Sequence, residues 1–431
     1  MIITDKKIGE IKELNGVNCA PYSRIFGGNQ IDVRQVFGYC GIPCVRTHDV
    51  NGAYGGTYYV DVPNIFRDFE ADENDERNYD FHYTDEYVTA IVNAGAKIAY
   101  RLGVTIEWGS KKYTSNPPAD FEKWARVCEH IVMHYNEGWA NGFNYGIEYW
   151  EIWNEPENPP MWTGTKEQFF DLYKTASKHL KKRFPQLKIG GYGSCGFYAQ
   201  FRANTPDCYK GFVVWFNDFL KMCKENECPL DFYSWHIYTP VVDELLRSAR
   251  YVRETLDEYG FTSTESLLNE WNYGAEGGGF DNMATLVGAG FIATALIEMQ
   301  YSSVDKAQYY CLNYNSTYNA FSDCRTHEYT PVAHVYNAFS KLFRAKNQTE
   351  TIKEPIDPPV LSAKDESGVY ALISNYQSAA RSINLSVPAS EKQSVKVYRL
   401  TEKYGFVYER DIPKTETWVY LAPGAIYFIE A

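Results

Sequence analysis

Apolar positions along this chain change period again and again. Between residues 83 and 94, Tyr87, Ile91 and Ala94 fall on one helical face, and Gly95 stands where a helix C-terminus needs a glycine. The apolar run Lys97 to Leu102 follows at once. The same exchange recurs down the chain. Helical periodicity covers about Asp32–Tyr39, Phe121–Tyr135 (Trp124, Val127, Cys128, Ile131, Val132), Phe169–Phe184, Phe212–Cys223, Val242–Tyr259, Met283–Tyr301 and Ala333–Phe343. Interleaved with these are short apolar runs centred near residues 17, 45, 99, 150, 189, 234, 268 and 309. Strands alternating with helices predict a parallel α/β sheet. Eight strands are the number that closes a (β/α)8 TIM barrel, expected here over residues 14–345. A doubly wound open sheet is the alternative, but no glycine-rich phosphate turn follows the first strand.

The texture changes after Lys346. Pro355, Pro358 and Pro359 punctuate a connector, and short alternating segments follow at 369–374, 382–387, 394–400, 418–421 and 425–429. These predict a small antiparallel β-sandwich over residues 346–431, with residues 1–13 adding a strand.

Composition narrows the function classes. With 42 Lys+Arg against 55 Asp+Glu the formal charge is −13, and no basic cluster breaks that balance, so nucleic acid is excluded as the main partner. No apolar run has the length of a membrane span, and the first residues lack a signal-like segment, so a cytoplasmic chain with no membrane partner is expected. The ten cysteines form no zinc-spaced set and are expected to be free thiols. Aromatic residues reach 16%, including 36 Tyr and 10 Trp, a supply of flat rings that suits sugar faces as well as cores. A homo-oligomer is left open.

In a barrel the reactive groups sit at the carboxyl ends of strands. The fourth strand ends in Trp153-Asn154-Glu155-Pro156, where proline stops the strand, and the seventh ends in Asn269-Glu270. Strands four and seven face one another across the lumen, so two carboxylates are expected to share one cavity. Paired carboxylates suit glycoside hydrolysis. Burial can raise a carboxyl's pKa, and Trp150 and Trp153 are expected to make the surroundings of Glu155 partly dry. A lone Asn-Glu-Pro is equally a helix-starting turn, so the weight rests on the pair. The strand-end set Arg46, His48 and Asp49, and the alternating His236 and Tyr238, point to the same end.

The run Trp150-Glu151-Ile152-Trp153-Asn154-Glu155-Pro156, with Trp235-His236-Ile237-Tyr238 and Leu268-Asn269-Glu270-Trp271-Asn272 downstream, resembles glycoside hydrolase family 39, the β-xylosidase and α-L-iduronidase family of clan A. The resemblance implies a retaining exo-glycosidase with a β-xyloside-like carbohydrate substrate and neither metal nor organic cofactor. Glu155 would be the general acid/base, its pKa raised by the charge of Glu270, the nucleophile. Asn154 would bind the sugar's 2-hydroxyl. His236, Tyr238 and His48 would contact the nucleophile or sugar, with Arg46 supporting them. Trp108 and Trp271 are candidate stacking platforms against core packing, and Tyr310 and Asn313 candidate contacts from the eighth strand. The turn Gly274-Ala275-Glu276-Gly277-Gly278-Gly279 and the tyrosines of the eighth strand depart from relatives. The substrate alternatives are therefore an α-L-arabinofuranoside, a β-glucoside, a β-galactoside or an endo-cleaved polysaccharide, and a carbohydrate-binding barrel without catalysis is the alternative from another class.

Overall fold

A computed structural model describes residues 1–19, 21, 23–26, 29–49, 59–106, 111–112, 114–159, 161–274, 280–313, 316–323 and 326–431. Trp108 and residues 275–279 of the glycine-rich turn lie outside the described residues. Eight parallel strands close a barrel: β1 (Gly16–Asn18), β2 (Cys44–Arg46), β3 (Lys97–Leu102), β4 (Tyr149–Ile152), β5 (Lys188–Ser194), β6 (Phe232–Tyr238), β7 (Glu265–Asn272) and β8 (Lys306–Tyr309). The helices between and after them are α1 (Arg34–Cys40), α2 (His82–Asn93), α3 (Phe121–Asn136), α4 (Lys166–Arg183), α5 (Asp207–Glu225), α6 (Val242–Glu258), α7 (Leu286–Gln300) and α8 (Pro331–Ala345). Register closes the ring, from Val17 beside Val45 round to Tyr309 beside Val17.

Local chemistry explains the boundaries. Helix α4 begins at Lys166, before its apolar periodicity does, because Thr165 and Gln168 form a reciprocal capping box. Helix α2 ends as expected, with Gly95 at φ 79° donating its N–H to the Val92 carbonyl. Outward-facing strand residues pack on the helices; Tyr100 of β3, for example, meets Tyr135 of α3 with ring centroids 5.7 Å apart.

The C-terminal residues form a seven-stranded antiparallel sheet in the order Ile2–Glu10, Asn347–Ile352, Val360–Asp365, Gly368–Ser374, Ile426–Glu430, Ser394–Thr401, Gly405–Pro413. The expected N-terminal strand is present and pairs Ile2 with Ile352. Alternation gives this sheet two buried faces. Leu361, Leu372, Ile426 and Phe428 join the core of the barrel, whereas Val369, Ile373, Tyr427 and Ile429 form a second core with Ile383, Leu385, Val419 and Leu421 of the pair Arg381–Leu385 and Thr417–Leu421. Three strands, 347–352, 360–365 and 405–413, went unread in the sequence because polar residues such as the Asn-Gln-Thr-Glu-Thr run hide their alternation. The described cysteines are free thiols. Among the described residues no helix is long and apolar enough to cross a membrane.

Candidate active site

A regular strand sends consecutive side chains to opposite faces, yet Asn154 and Glu155 both turn into the lumen. Positive φ angles at Trp153 (70°) and Glu155 (45°) break the alternation. Such conformations persist only where the surroundings impose them. Here the Glu155 N–H donates to the carbonyls of Tyr192 and Gly193 at the end of β5, at 3.1 and 3.0 Å, and the Trp153 N–H donates to Leu102 at 2.7 Å. The Trp153 ring swings outward, against Trp124 and Trp162, and Trp150 also packs outward. The expectation that these two tryptophans dry the site is therefore corrected.

Strand β7 solves the same problem differently. Leu268 pairs with Trp235 but Glu270 pairs with His236, so Asn269 is an extra residue, and the bulge lets Asn269 and Glu270 both face inward. It also fixes Trp271 outward, fully buried between Phe291 and Tyr309. Trp271 belongs to the core, and its reading as a stacking platform is corrected.

The two glutamates meet at His236. Its Nδ1 lies 2.7 Å from Glu155 Oε1 and 3.6 Å from Glu270 Oε2, and one oxygen of each carboxylate and the His236 nitrogen all lie within 4.8 Å of one another. Asn158 Nδ2 donates to Glu155 Oε2 at 3.1 Å, and Tyr238 OH donates to Glu270 Oε2 at 2.5 Å. Beneath them lies Arg46, fully buried, donating Nη1 to Glu270 Oε1 at 2.7 Å, Nη2 to Asn154 Oδ1 at 2.5 Å and Nε to Glu151 Oε2 at 2.7 Å. Glu151 also accepts from Ser234 Oγ and Asn269 Nδ2, each at 2.6 Å. Arg46 thus holds the amide before one glutamate and the carboxylate of the other. With its oxygen taken, Asn154 keeps a buried Nδ2 donor that has no hydrogen-bond partner among the described residues.

Burial alone would raise both glutamates. For Glu155 the hydrogen bond and charge of His236, with Asn158 and the Cys195 thiol, outweigh burial and leave its pKa below the ordinary value. For Glu270 burial prevails over His236 and Arg46, helped by the charge of Glu155, and its pKa is raised. The expectation that Glu155 is the raised member is corrected: His236 donates directly to Glu155 and lies farther from Glu270.

His48 is buried, with Nε2 at 3.2 Å from Asp49 Oδ1 and 3.7 Å from Glu270 Oε1. Its burial and the nearby Arg46, Arg101 and His236 charges hold its pKa far down, so it is neutral. Tyr310 OH donates to Asp49 Oδ2 at 2.8 Å and its ring meets those of Tyr238 and Tyr318 edge-on. Asn313 lies in the loop after β8, where its carbonyl accepts the Ser316 N–H. Sequence reasoning missed Asn18, Glu151, Ser234 and Gly193. The first three are polar residues at inward positions of otherwise apolar strands, a signal present in the sequence, and Arg46 Nη1 also reaches Asn18 Oδ1 at 3.3 Å. Gly193, at φ 61°, leaves no room for a side chain, because a Cβ there would lie 2.8 Å from Asn154 Oδ1 and 3.0 Å from Arg46 Nη2.

The sequence model of the glycosyl hydrolases family 39 matches residues 33–260, more than half of the chain. The chain belongs to family 39. Among its relatives, a β-xylosidase from Geobacillus stearothermophilus is 29% identical over 193 residues, a stretch covering 42% of this chain and 34% of that protein. The match thus spans only about a third of that relative's length. A glucosidase from Croceicoccus marinus has the same fold over 100% of this chain and 97% of its own, with a TM-score of 0.80 and 22% identity. A monomeric β-xylosidase from Caulobacter crescentus CB15 covers 100% and 99%, with a TM-score of 0.72 and 14% identity.

Proposed function

We propose that this family 39 chain is a retaining glycoside hydrolase that removes a terminal β-xyloside-like sugar by double displacement. The approach of Glu155 and Glu270 carries the reading. Carboxyl groups about 5–5.5 Å apart leave no room for a water opposite the leaving group, whereas inverting enzymes need about 6.5–9.5 Å. One oxygen of Glu155 lies within 4.8 Å of one oxygen of Glu270, which supports the short spacing.

In this reading Glu270 attacks the anomeric carbon. Its orientation is set by Arg46 and Tyr238, one on each oxygen. Glu155 protonates the departing oxygen, with His236 Nδ1 placed 2.7 Å from its Oε1. Glycosylation of Glu270 removes a negative charge near Glu155, which then accepts a proton from water as the sugar is released. The unpartnered Nδ2 of Asn154 supplies a donor for a hydroxyl beside the anomeric carbon. The xyloside preference follows the named β-xylosidase relative.

The test uses Glu155→Gln and Glu270→Gln on a panel of aryl β-xylosides, α-L-arabinofuranosides, β-glucosides and β-galactosides. Each variant is expected to lose about 10²-fold or more on the best substrate, the usual worth of an acid/base or nucleophile. Near-normal activity in both would overturn the assignment. Sugar binding by the wild type without turnover of any glycoside would favour the non-catalytic reading.

A further inference from the structure

Glu157, two residues beyond the proposed acid, is an acidic residue whose place in the fold the reaction just described does not explain. One carboxylate oxygen accepts the Cys195 N–H at 2.7 Å, and the other is buried beside the Ser194 side chain with no ion-pair partner among the described residues. Its surroundings are Glu155 on the same turn, Ser194 and Cys195 at the end of β5, and the phenols of Tyr192 on β5 and Tyr233 on β6. Among the described residues no lysine, arginine or histidine pairs with it. A buried carboxylate without a cation is costly, and an apolar residue would fill this space without that cost.

What the position does have is a route to Glu155. The Cys195 backbone is held by Glu157, and the Cys195 thiol lies against the Glu155 carboxylate. On the other side Asn158 returns to the Glu155 carbonyl through its N–H at 2.9 Å and to Oε2 through its side chain. Glu155 itself has a φ of 45°, a conformation that unsupported chain would abandon. We infer that Glu157 is a positioning residue for the acid, a strap that ties the turn carrying Glu155 to the end of β5 through Cys195. Burial, with the charge of Glu155 added, pushes Glu157 up to about 8, so through the acidic and neutral range it accepts from Cys195 without placing a second charge beside Glu155.

The inference rests on Glu155 being the general acid, and the experiment separates the two. Glu157→Ala, Glu157→Gln and Glu155→Ala are compared with wild type on a phenyl glycoside, whose departure needs protonation, and on the matching 2,4-dinitrophenyl glycoside, whose departure does not. A misplaced acid slows the first far more than the second. Glu157→Ala is expected to lose about 10-fold or more in kcat/KM on the phenyl glycoside and less than about 3-fold on the dinitrophenyl one, within the range a general acid supplies. Glu157→Gln keeps a neutral acceptor for Cys195 and is expected to restore the phenyl activity. If Glu157→Ala does not fold, Glu157→Asp, which withdraws the acceptor by one methylene, is judged by the same ratio. Equal loss on both substrates, or a Gln variant as impaired as the Ala variant, would overturn the strap. Loss without leaving-group dependence in Glu155→Ala would instead overturn the acid assignment.

Discussion

Arg46 and Glu151 meet at 2.7 Å in the barrel lumen, both side chains shielded from solvent. From this pair the guanidinium reaches up to Glu270 and Asn154, so the charge that organises the site is anchored below it. Breaking one partner of a buried pair costs about 3–5 kcal/mol because the other charge is left uncompensated. Arg46→Met is expected to destabilise the fold by about that much in urea denaturation at neutral pH. Arg46→Met/Glu151→Gln is expected to recover part of the stability, since one of the two stranded carboxylate charges is gone, and none of the activity, since Glu270 and Asn154 remain unheld.

Gly193 is the second support. Its φ of 61° disfavours any residue with a side chain by about 1–2 kcal/mol. The Cβ of alanine would also press on Asn154 Oδ1 and Arg46 Nη2. Gly193→Ala is expected to keep a cooperative fold with a lowered Tm, and to lose about 10-fold or more in kcat/KM, consistent with the sensitivity of catalysis to small displacements. A variant with a lowered Tm and unaltered kinetics would show that the glycine serves only the backbone.

Tyr238 offers a pH test of Glu270. As the proposed nucleophile, Glu270 must be ionised, and burial raises its pKa, so kcat/KM is expected to rise with pH through an acidic limb belonging to Glu270. The Tyr238 hydroxyl stabilises the carboxylate and opposes that rise. Tyr238→Phe removes the donor, so the Glu270 pKa climbs further and the acidic limb moves to higher pH. A limb that stays in place or moves down would separate Glu270 from the ionisation.

Glu157 ties stability to pH. Its folded value of about 8 stands above the ordinary 4.5, so folding takes up a proton between those limits. Its contribution is most favourable below about pH 4.5 and is lost as pH rises to about 8. Within that window the wild type is expected to lose stability relative to Glu157→Gln at up to about 1.4 kcal/mol per pH unit. Denaturation curves of both proteins at pH 5 and pH 8 give the difference directly.

The periodicity of the chain carried the barrel, because each strand is a short apolar run and each helix repeats its apolar face, as Tyr87, Ile91 and Trp124, Val127, Ile131 do. The chemistry of Asn154-Glu155 and Asn269-Glu270 was legible as types at strand ends. How two adjacent residues in each pair reach the same cavity was not, since this depends on positive φ at Trp153 and Glu155 and on the bulge at Asn269. That same bulge decided Trp271, which composition could place in a core or on a sugar with equal ease. The ordering of Glu155 and Glu270 in proton affinity depends on where His236 sits between them, a distance no spacing in sequence encodes.

The proposed two-step reaction at Glu155 and Glu270 is tested most directly by the anomer that forms first. Proton NMR during rapid wild-type hydrolysis of an aryl β-D-xyloside is expected to show β-xylose appearing first, with α-xylose following only at the rate of spontaneous mutarotation. Appearance of α-xylose first would mean single displacement by water and would contradict the account.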